Sequence, residues 1–200
     1  MIEIRIHGRG GQGAVLASTV LAHAAHHSGY HVQVFPEFGV ERRGVPVTAF
    51  ARFDRRPILL RTRVSAPDHV IVLDPAIARY LPVTDGLLTG GTVVMNSSDA
   101  GEMESLRERW RTVWVDATDI AARHGIGTAT APIVNTTMVG AFAGATGLFR
   151  REAVRRAMEE VIPSAWERNF AAAEEAWHTA RIVPSPIAEA LQLLLEGGGR

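Results

Sequence analysis

The 200-residue sequence contains no cysteine and no lysine, although it carries 21 basic residues, all of them arginine. Without cysteine the chain cannot form disulfides, supply a thiolate nucleophile or ligate an iron–sulfur cluster through thiolates. Without lysine it cannot form a Schiff base or bind a phosphate through an ammonium group. If the protein takes part in iron–sulfur chemistry, the clusters must be held by another chain.

The sequence also lacks an excess of charge and a long apolar run. Its 21 acidic residues balance the arginines, so no overall field favours nucleic acid or an anionic membrane as a partner. No apolar run approaches the roughly 20 residues that span a bilayer. Glu3 and Arg5 in the first predicted strand argue against a signal peptide. We therefore expect a globular, cytoplasmic protein with no nucleic-acid or membrane partner.

The chain opens with MIEIRIHGRGGQGAVLAS, in which a strand runs through a glycine cluster into a helix. Alternation of Ile2, Ile4 and Ile6 predicts the strand, and AVLASTVLAHAAHH predicts the helix. The turn between them places backbone N–H groups at a helix N-terminus, where an anionic group or a neighbouring backbone can bind. The candidate binding residues are Gly8, Arg9, Gly10, Gly11, Gln12 and Gly13.

This glycine turn has two interpretations. Gly8, Gly10 and Gly13 satisfy the G-x-G-x-x-G pattern of dinucleotide-binding proteins, and Glu37 follows a second predicted strand at a compatible distance. Such a pattern is weak alone, so a tight structural turn or an interface is the stronger interpretation. A Walker-type loop is excluded because no G-K-[ST] closes the turn.

Alternating apolar and helical segments predict an α/β fold: a single three-layer domain over residues 1–200 with a mixed, mostly parallel sheet. The α/β core spans about 1–117, a helical part spans about 118–181, and the remaining residues read as a frayed end. The predicted strands include HVQVF, VPVTAFARF, DHVIVLD, GGTVVMN and TVWVDA, and an extended segment in DRRPILLRTR. A helix with Gly140 and Gly144 should pack its small-residue face against the sheet or a partner subunit.

Four segments together resemble one family closely. They are IHGRGGQGAVLAS, VFPEFGVERRGVPVTAFARF, VIVLDP and IVNTTMVGAFAGATGL, with a weaker match at RNFAAAEEAW. In this order the sequence is similar to the gamma subunit of 2-oxoacid:ferredoxin oxidoreductases, of which pyruvate synthase is typical. GRGGQG followed by PEFGVERRGVPV is the specific part of this resemblance.

The resemblance implies a required but non-catalytic subunit of an enzyme complex. Such complexes decarboxylate a 2-oxoacid on Mg²⁺-bound thiamine diphosphate, transfer the acyl group to coenzyme A (CoA), and pass electrons through [4Fe–4S] clusters to ferredoxin, or run in reverse. Alpha and beta subunits hold the thiamine diphosphate, and beta and delta subunits hold the clusters. This chain would pack on the thiamine-binding subunits and shape the CoA entrance. Pyruvate is the default substrate, and the alternative is a stand-alone NAD(P)- or flavin-binding oxidoreductase that uses the glycine turn.

Arg42 and Arg43, beside Glu41 and before Gly44, form the sharpest charged cluster. Guanidinium groups there suit CoA phosphates or a carboxylate of a neighbouring subunit, and the alternative is a solvated hairpin turn. Glu41 favours the subunit contact because it would repel a phosphate. Asn135 is predicted as a helix N-cap, with a ligand contact as its second interpretation.

The remaining candidates favour structural roles. His23 and His27 have the i, i+4 spacing of metal ligands, but no third ligand is near in sequence, so a surface or helix-end role is favoured. Trp166 and Trp177 are eleven residues apart and could share one side of a helix, in the core or at a subunit contact. No G-x-S-x-G motif occurs, and the sequence offers no residue that we identify as catalytic or metal-binding.

Overall fold

The computed structural model describes residues 1–37 and 45–187. The strands within these residues are β1 (Ile2–Arg9), β2 (His31–Glu37), β3 (Pro46–Asp54), β4 (His69–Val72), β5 (Thr92–Asn96), β6 (Arg111–Val115), β7 (Gly127–Thr128), β8 (Ala131–Pro132) and β9 (Arg181–Val183). The α-helices are α1 (Ala14–His27), α2 (Glu104–Arg107), α3 (Ala117–Arg123), α4 (Asn135–Thr146), α5 (Arg151–Val161) and α6 (Trp166–Thr179).

Seven strands form one sheet in the order β2-β3-β1-β4-β5-β6-β9. Strands β1, β4, β5 and β6 pair in parallel, whereas β3 is antiparallel to both β1 and β2, and β9 is antiparallel to β6. Since β2 is reversed twice relative to β1, it points the same way as the four parallel strands. Five of the seven strands thus share one direction, which confirms the predicted mixed, mostly parallel sheet.

Alternate residues of the central strands point into two separate cores. Ile71 and Val94 join a large core with α1, α4, α5 and α6, whereas Val70 and Val93 join a smaller core on the opposite face. The smaller core is closed by loops, by α2 and by two 3₁₀ helices, Pro75–Arg79 and Ala100–Met103. Helices therefore lie on both faces of the sheet, and the predicted three-layer arrangement is confirmed.

The small-residue face of α4 packs against α6 rather than against the sheet or a partner. A Cβ atom on Gly140 would lie 2.0 Å from the carbonyl oxygen of Ala173, and one on Gly144 would lie 2.7 Å from that of Trp177. The backbones of α4 and α6 approach each other this closely only because neither glycine has a side chain. The prediction of close backbone packing was right, but its partner is a helix of the same chain.

Two local predictions differ from the structure. After Asp54, which ends β3, the segment DRRPILLRTR forms no further regular strand. It runs beside β2, where the side chain of Gln33 donates to the carbonyl oxygen of Leu60 at 2.8 Å. Strand β9 follows the helices and pairs with β6, with Val183 opposite Thr112. A strand of three residues is too short to show an alternating pattern, so the sequence does not predict it. The frayed end predicted near the C-terminus falls mostly on residues 188–200, which lie outside the described residues.

Candidate functional site

The glycine turn lies between β1 and α1 and is closed by its own polar groups. The backbone N–H of Arg9 donates to Gln12 Oε1 at 2.7 Å, and the N–H of Gln12 donates to the carbonyl oxygen of Arg9 at 2.9 Å. The N–H of Gly10 donates to the carbonyl oxygen of Val45, just before β3, at 2.9 Å. The turn is therefore fixed to the neighbouring strand before any partner binds.

Asp74 joins the turn to the end of the adjacent strand β4. Its Oδ2 atom accepts a hydrogen bond from Gln12 Nε2 at 3.2 Å and lies 2.7 Å from Arg9 Nε. Its Oδ1 atom accepts from the N–H of Ala76 at 2.9 Å and caps the 3₁₀ helix that follows. The predicted residues Arg9 and Gln12 thus organise the site together with Asp74, which was not among the predicted site residues. Its only signal in the sequence is the aspartate before the proline of VIVLDP.

Asn135 reaches the same turn from a position 122 residues away. It is buried, and its Nδ2 atom donates to the carbonyl oxygen of Gly13 at 3.4 Å. Gly13 has a positive φ of 79°, and a Cβ atom there would lie 2.2 Å from that Nδ2 atom. The predicted N-cap role is wrong, because α4 begins at Asn135 itself and Val134 precedes it.

The polar contacts continue from Asn135 into α6. Its Oδ1 atom accepts from the N–H of Thr136 at 2.7 Å, and Thr136 Oγ1 donates to Asn169 Oδ1 at 2.7 Å. Asn169 Nδ2 in turn donates to the carbonyl oxygen of Ala165 at 2.8 Å. The position of the turn is therefore coupled to the packing of α4 and α6.

Gly11 is the accessible part of the turn, whereas Gly10 is half-buried and its N–H is paired with Val45. Gly11 is exposed, has a φ of 99°, and a Cβ atom there would meet no heavy atom within 4 Å. The first turn of α1 carries no acidic residue, so no side chain of the helix itself neutralises the partial positive charge of its N-terminus. This surface can bind an anionic group or a neighbouring backbone carbonyl. Its side chains offer no nucleophile paired with a base.

Glu37 does not lie where a dinucleotide-binding protein would need it. In that fold the acidic residue ends a strand adjacent to the glycine turn, but here β3 lies between β1 and β2. Two strand spacings separate β2 from β1, about 10 Å. Glu37 also pairs with Arg63 at 3.2 Å. The topology therefore argues against the dinucleotide interpretation.

Comparison with known proteins decides the family. A model of the pyruvate ferredoxin/flavodoxin oxidoreductase family matches residues 3–178. The chain belongs to this family. The gamma subunit common to the pyruvate and ketoisovalerate oxidoreductases of Thermococcus kodakarensis is 49% identical over 183 residues, covering 89% of this chain and 96% of the relative. The expected resemblance to gamma subunits is confirmed.

Solved structures agree with this assignment to the oxidoreductase family. The pyruvate oxidoreductase subunit PORC from Thermotoga maritima has a TM-score of 0.76 at 33% identity, covering 90% of this chain and 97% of that one. A 2-oxoglutarate:ferredoxin oxidoreductase chain from Magnetococcus marinus shares the fold, with a TM-score of 0.70 at 15% identity. There the match covers 94% of this chain and only 31% of the longer chain.

The other sequence candidates of this oxidoreductase subunit that fall within the described residues lie away from the turn. Arg42 and Arg43 fall outside the described residues. His23 and His27 both contact Glu160, at 2.8 and 3.0 Å, and so join α1 to α5. Hydrogen bonds from His23 and then His27 lower the pKa of Glu160. In the described part of the chain, no group of three or more histidine, aspartate or glutamate side chains could hold a metal ion, and no helix could span a membrane.

Trp166 and Trp177 pack on the large core from α6. Both are partly buried, the Arg155 guanidinium lies 5.8 Å from the Trp166 ring centre, and Trp177 contacts Gly144 closely. They therefore share the packing role that the sequence predicted. His7, which precedes Gly8 on β1, is a further polar residue beside the turn that no sequence motif marks. Burial, and next the charge of Arg5, lower the pKa of His7 to about 4, so its ring is neutral at neutral pH.

Proposed function

We propose that the chain is the gamma subunit of a thiamine-diphosphate-dependent, iron–sulfur 2-oxoacid:ferredoxin oxidoreductase and catalyses no step by itself. The near-complete match to a gamma subunit carries this proposal, because it covers 89% of this chain and 96% of the Thermococcus relative rather than one motif. The complex decarboxylates a 2-oxoacid, transfers the acyl group to CoA and reduces ferredoxin, or catalyses the reverse. Pyruvate is the proposed substrate, and 2-oxoisovalerate is the next candidate because the Thermococcus relative serves both oxidoreductases.

In this proposal the cofactors belong to the partner subunits. Since this chain has no cysteine, the [4Fe–4S] clusters are held by beta and delta subunits. Thiamine diphosphate and Mg²⁺ are held by the alpha and beta subunits, on which this chain packs. Because Gly11 is exposed just before the N-terminus of α1, we place the glycine turn beside the CoA entrance. There it contacts CoA phosphates or a backbone of a neighbouring subunit.

Purification through an affinity tag on this chain tests the assembly. We expect it to bring down a cysteine-rich ferredoxin-like chain and thiamine-binding chains in fixed ratio. The preparation should reduce ferredoxin only when a 2-oxoacid and CoA are both present. Recovery of this chain alone, under conditions in which it is folded, would contradict the proposal. Comparing pyruvate with 2-oxoisovalerate in the same assay identifies the substrate.

Replacing Arg42 and Arg43 together by alanine tests the CoA entrance. If the pair binds CoA phosphates, KM for CoA should rise while kcat changes little. If it binds a carboxylate of a neighbouring subunit, the complex should dissociate more readily as salt increases. We expect the second result because Glu41 lies beside the pair. Unchanged kinetics and unchanged assembly would assign the cluster to a solvated turn.

A further inference from the structure

The segment of residues 55–63 is fixed along the edge strand β2. Arg55 Nη1 donates to the carbonyl oxygen of Ser28 at 2.8 Å, and its guanidinium lies 3.9 Å from the centre of the Tyr30 ring. Further along, Gln33 on β2 donates to the carbonyl oxygen of Leu60 at 2.8 Å. Because both ends are anchored, the side chains between them are presented in a defined arrangement.

This fixed segment exposes apolar surface. Leu59 is 88% exposed, more than any other large hydrophobic side chain in the described part of the protein, and Leu60 is 47% exposed. Val32, on the adjacent strand β2, is 36% exposed. Isolated exposed leucines are common, but neighbouring ones on an anchored segment at a sheet edge are typical of an interaction surface. We call Leu59, Leu60 and Val32 the leucine patch.

The segment that carries Leu59 and Leu60 also carries two arginines that have no compensating acid among the described residues. Within the described ranges, the guanidinium groups of Arg56 and Arg61 have no carboxylate partner. The nearby acids are already paired, since Asp54 lies 3.1 Å from the N-terminal ammonium group and Glu37 lies 3.2 Å from Arg63. Two copies of this chain meeting through the patch would bring like charges together, whereas an acidic surface would be attracted.

We propose that the leucine patch docks an apolar surface with an acidic rim on another subunit of the oxidoreductase complex. This rests on the proposed function, because it assumes that the chain assembles with other subunits. Apolar burial at Leu59 supplies affinity, and the arginines select an acidic partner over a second copy of this chain.

The test compares Leu59→Asp with the matched control Leu88→Asp in the tagged, co-expressed complex. Leu88 is 46% exposed and lies outside the patch. We expect Leu59→Asp to weaken assembly by about tenfold or more, since it places a desolvated charge in an apolar contact, and Leu88→Asp to assemble normally. Size-exclusion chromatography measures assembly, and the melting temperature of each isolated variant checks its folding. The double variant Arg56→Glu/Arg61→Glu should also weaken assembly, with a smaller effect at high salt.

Each outcome bears on the proposal. Normal assembly of Leu59→Asp with the other subunits would overturn it while leaving the gamma-subunit function intact. A wild-type homodimer that Leu59→Asp converts to monomer would also overturn it, because the occupant would be a second copy. If the wild-type chain binds no other subunit, the docking surface and the proposed function both fail. If Leu59→Asp does not fold, the arginine double variant decides, and its normal assembly overturns the proposal.

Discussion

At the scale of single residues, Gly11 and Gly13 adopt similar backbone conformations in different surroundings. Both have positive φ, at 99° and 79°. A Cβ atom at Gly11 would project into open space, whereas one at Gly13 would collide with the buried amide of Asn135. Gly11 therefore needs glycine for its conformation alone, and Gly13 needs it for conformation and for contact with α4.

We predict that Gly13→Ala destabilises the protein more than Gly11→Ala does. The left-handed conformation costs either alanine about 1–2 kcal/mol. Displacing the Asn135 amide should add about 1–3 kcal/mol at Gly13 alone, because a buried polar group loses its partner. Urea unfolding of the isolated chain measures both variants. Equal destabilisation would show that the Asn135 contact contributes nothing.

The sequence located the turn but not its partners. A glycine pattern after an alternating strand is a local signal, so Gly8–Gly13 could be assigned without the fold. Asn135 could not be, because only the packing of α4 brings it across 122 residues to Gly13. Asp74 was likewise visible only as the end of a strand, since its contacts with Arg9 and Gln12 depend on β4 lying beside β1.

At the scale of elements, the central strands β1 and β4 each carry a histidine that is neutral when folded. Burial lowers the pKa of His7 on β1 and of His69 on β4 to about 4. In the described part of the structure, His7 Nε2 and His69 Nδ1 have no hydrogen-bond partner. No carboxylate therefore pairs with these nitrogen atoms to favour the protonated rings.

We predict that folding stability falls as the pH drops from about 6.5 to about 4. The unfolded histidines, with pKa near 6.5, bind protons that the folded ones exclude, so stability is fully present above pH 6.5. Each histidine should account for about 3 kcal/mol across this window. Unfolding free energies measured from pH 4 to 7 test this.

Variants distinguish the contribution of these two histidines to the pH dependence of stability from that of the other titratable groups. His7→Gln and His69→Gln should each make the stability profile flatter between pH 4 and 6.5. The control His178→Gln removes an exposed histidine and should leave the slope unchanged. A slope that none of the three variants alters would contradict the assignment.

The close contact between α4 and α6 leads to a second prediction at this scale, on the stability of glycine variants of α4. Gly140→Ala would normally favour a helix by about 1 kcal/mol, but here its Cβ atom would lie 2.0 Å from a carbonyl oxygen of α6. We expect net destabilisation of about 1–3 kcal/mol, because the helices must move apart. Gly144→Ala should cost less, since its nearest atom would lie at 2.7 Å. Thermal unfolding measures both, and a stabilised Gly140→Ala would show that the helices separate freely.

The element types were predictable where their hydrophobic patterns were long, as in β1, α1, α5 and α6. The order of the strands in the sheet was not predictable, because no local pattern in the sequence indicates whether β2 pairs with β1 or with β3. That order decides the position of Glu37 and hence the dinucleotide interpretation.

At the scale of the whole molecule, the chain combines a mostly parallel α/β sheet with a glycine turn, but its strand order does not place an acidic residue beside that turn as in dinucleotide-binding proteins. Its glycine turn is fastened by Arg9, Gln12 and Asp74, and its acidic strand end is displaced by an intervening strand. A fold of this kind can serve as a docking unit for other subunits, because Gly11 in the turn and the leucine patch beside β2 are exposed.

We predict that the isolated, folded chain is colourless and binds neither iron, thiamine diphosphate nor NADH in stoichiometric amount. The chain has no cysteine for clusters, and β3 separates Glu37 from the glycine turn that a nicotinamide cofactor would need. Iron analysis, a fluorescent thiamine assay and an NADH fluorescence titration measure how much of each of these three ligands the chain binds. The assembled complex is the positive control for iron and thiamine. Saturable NADH binding to the isolated chain, abolished by Gly13→Ala, would instead establish the stand-alone oxidoreductase that the sequence left open.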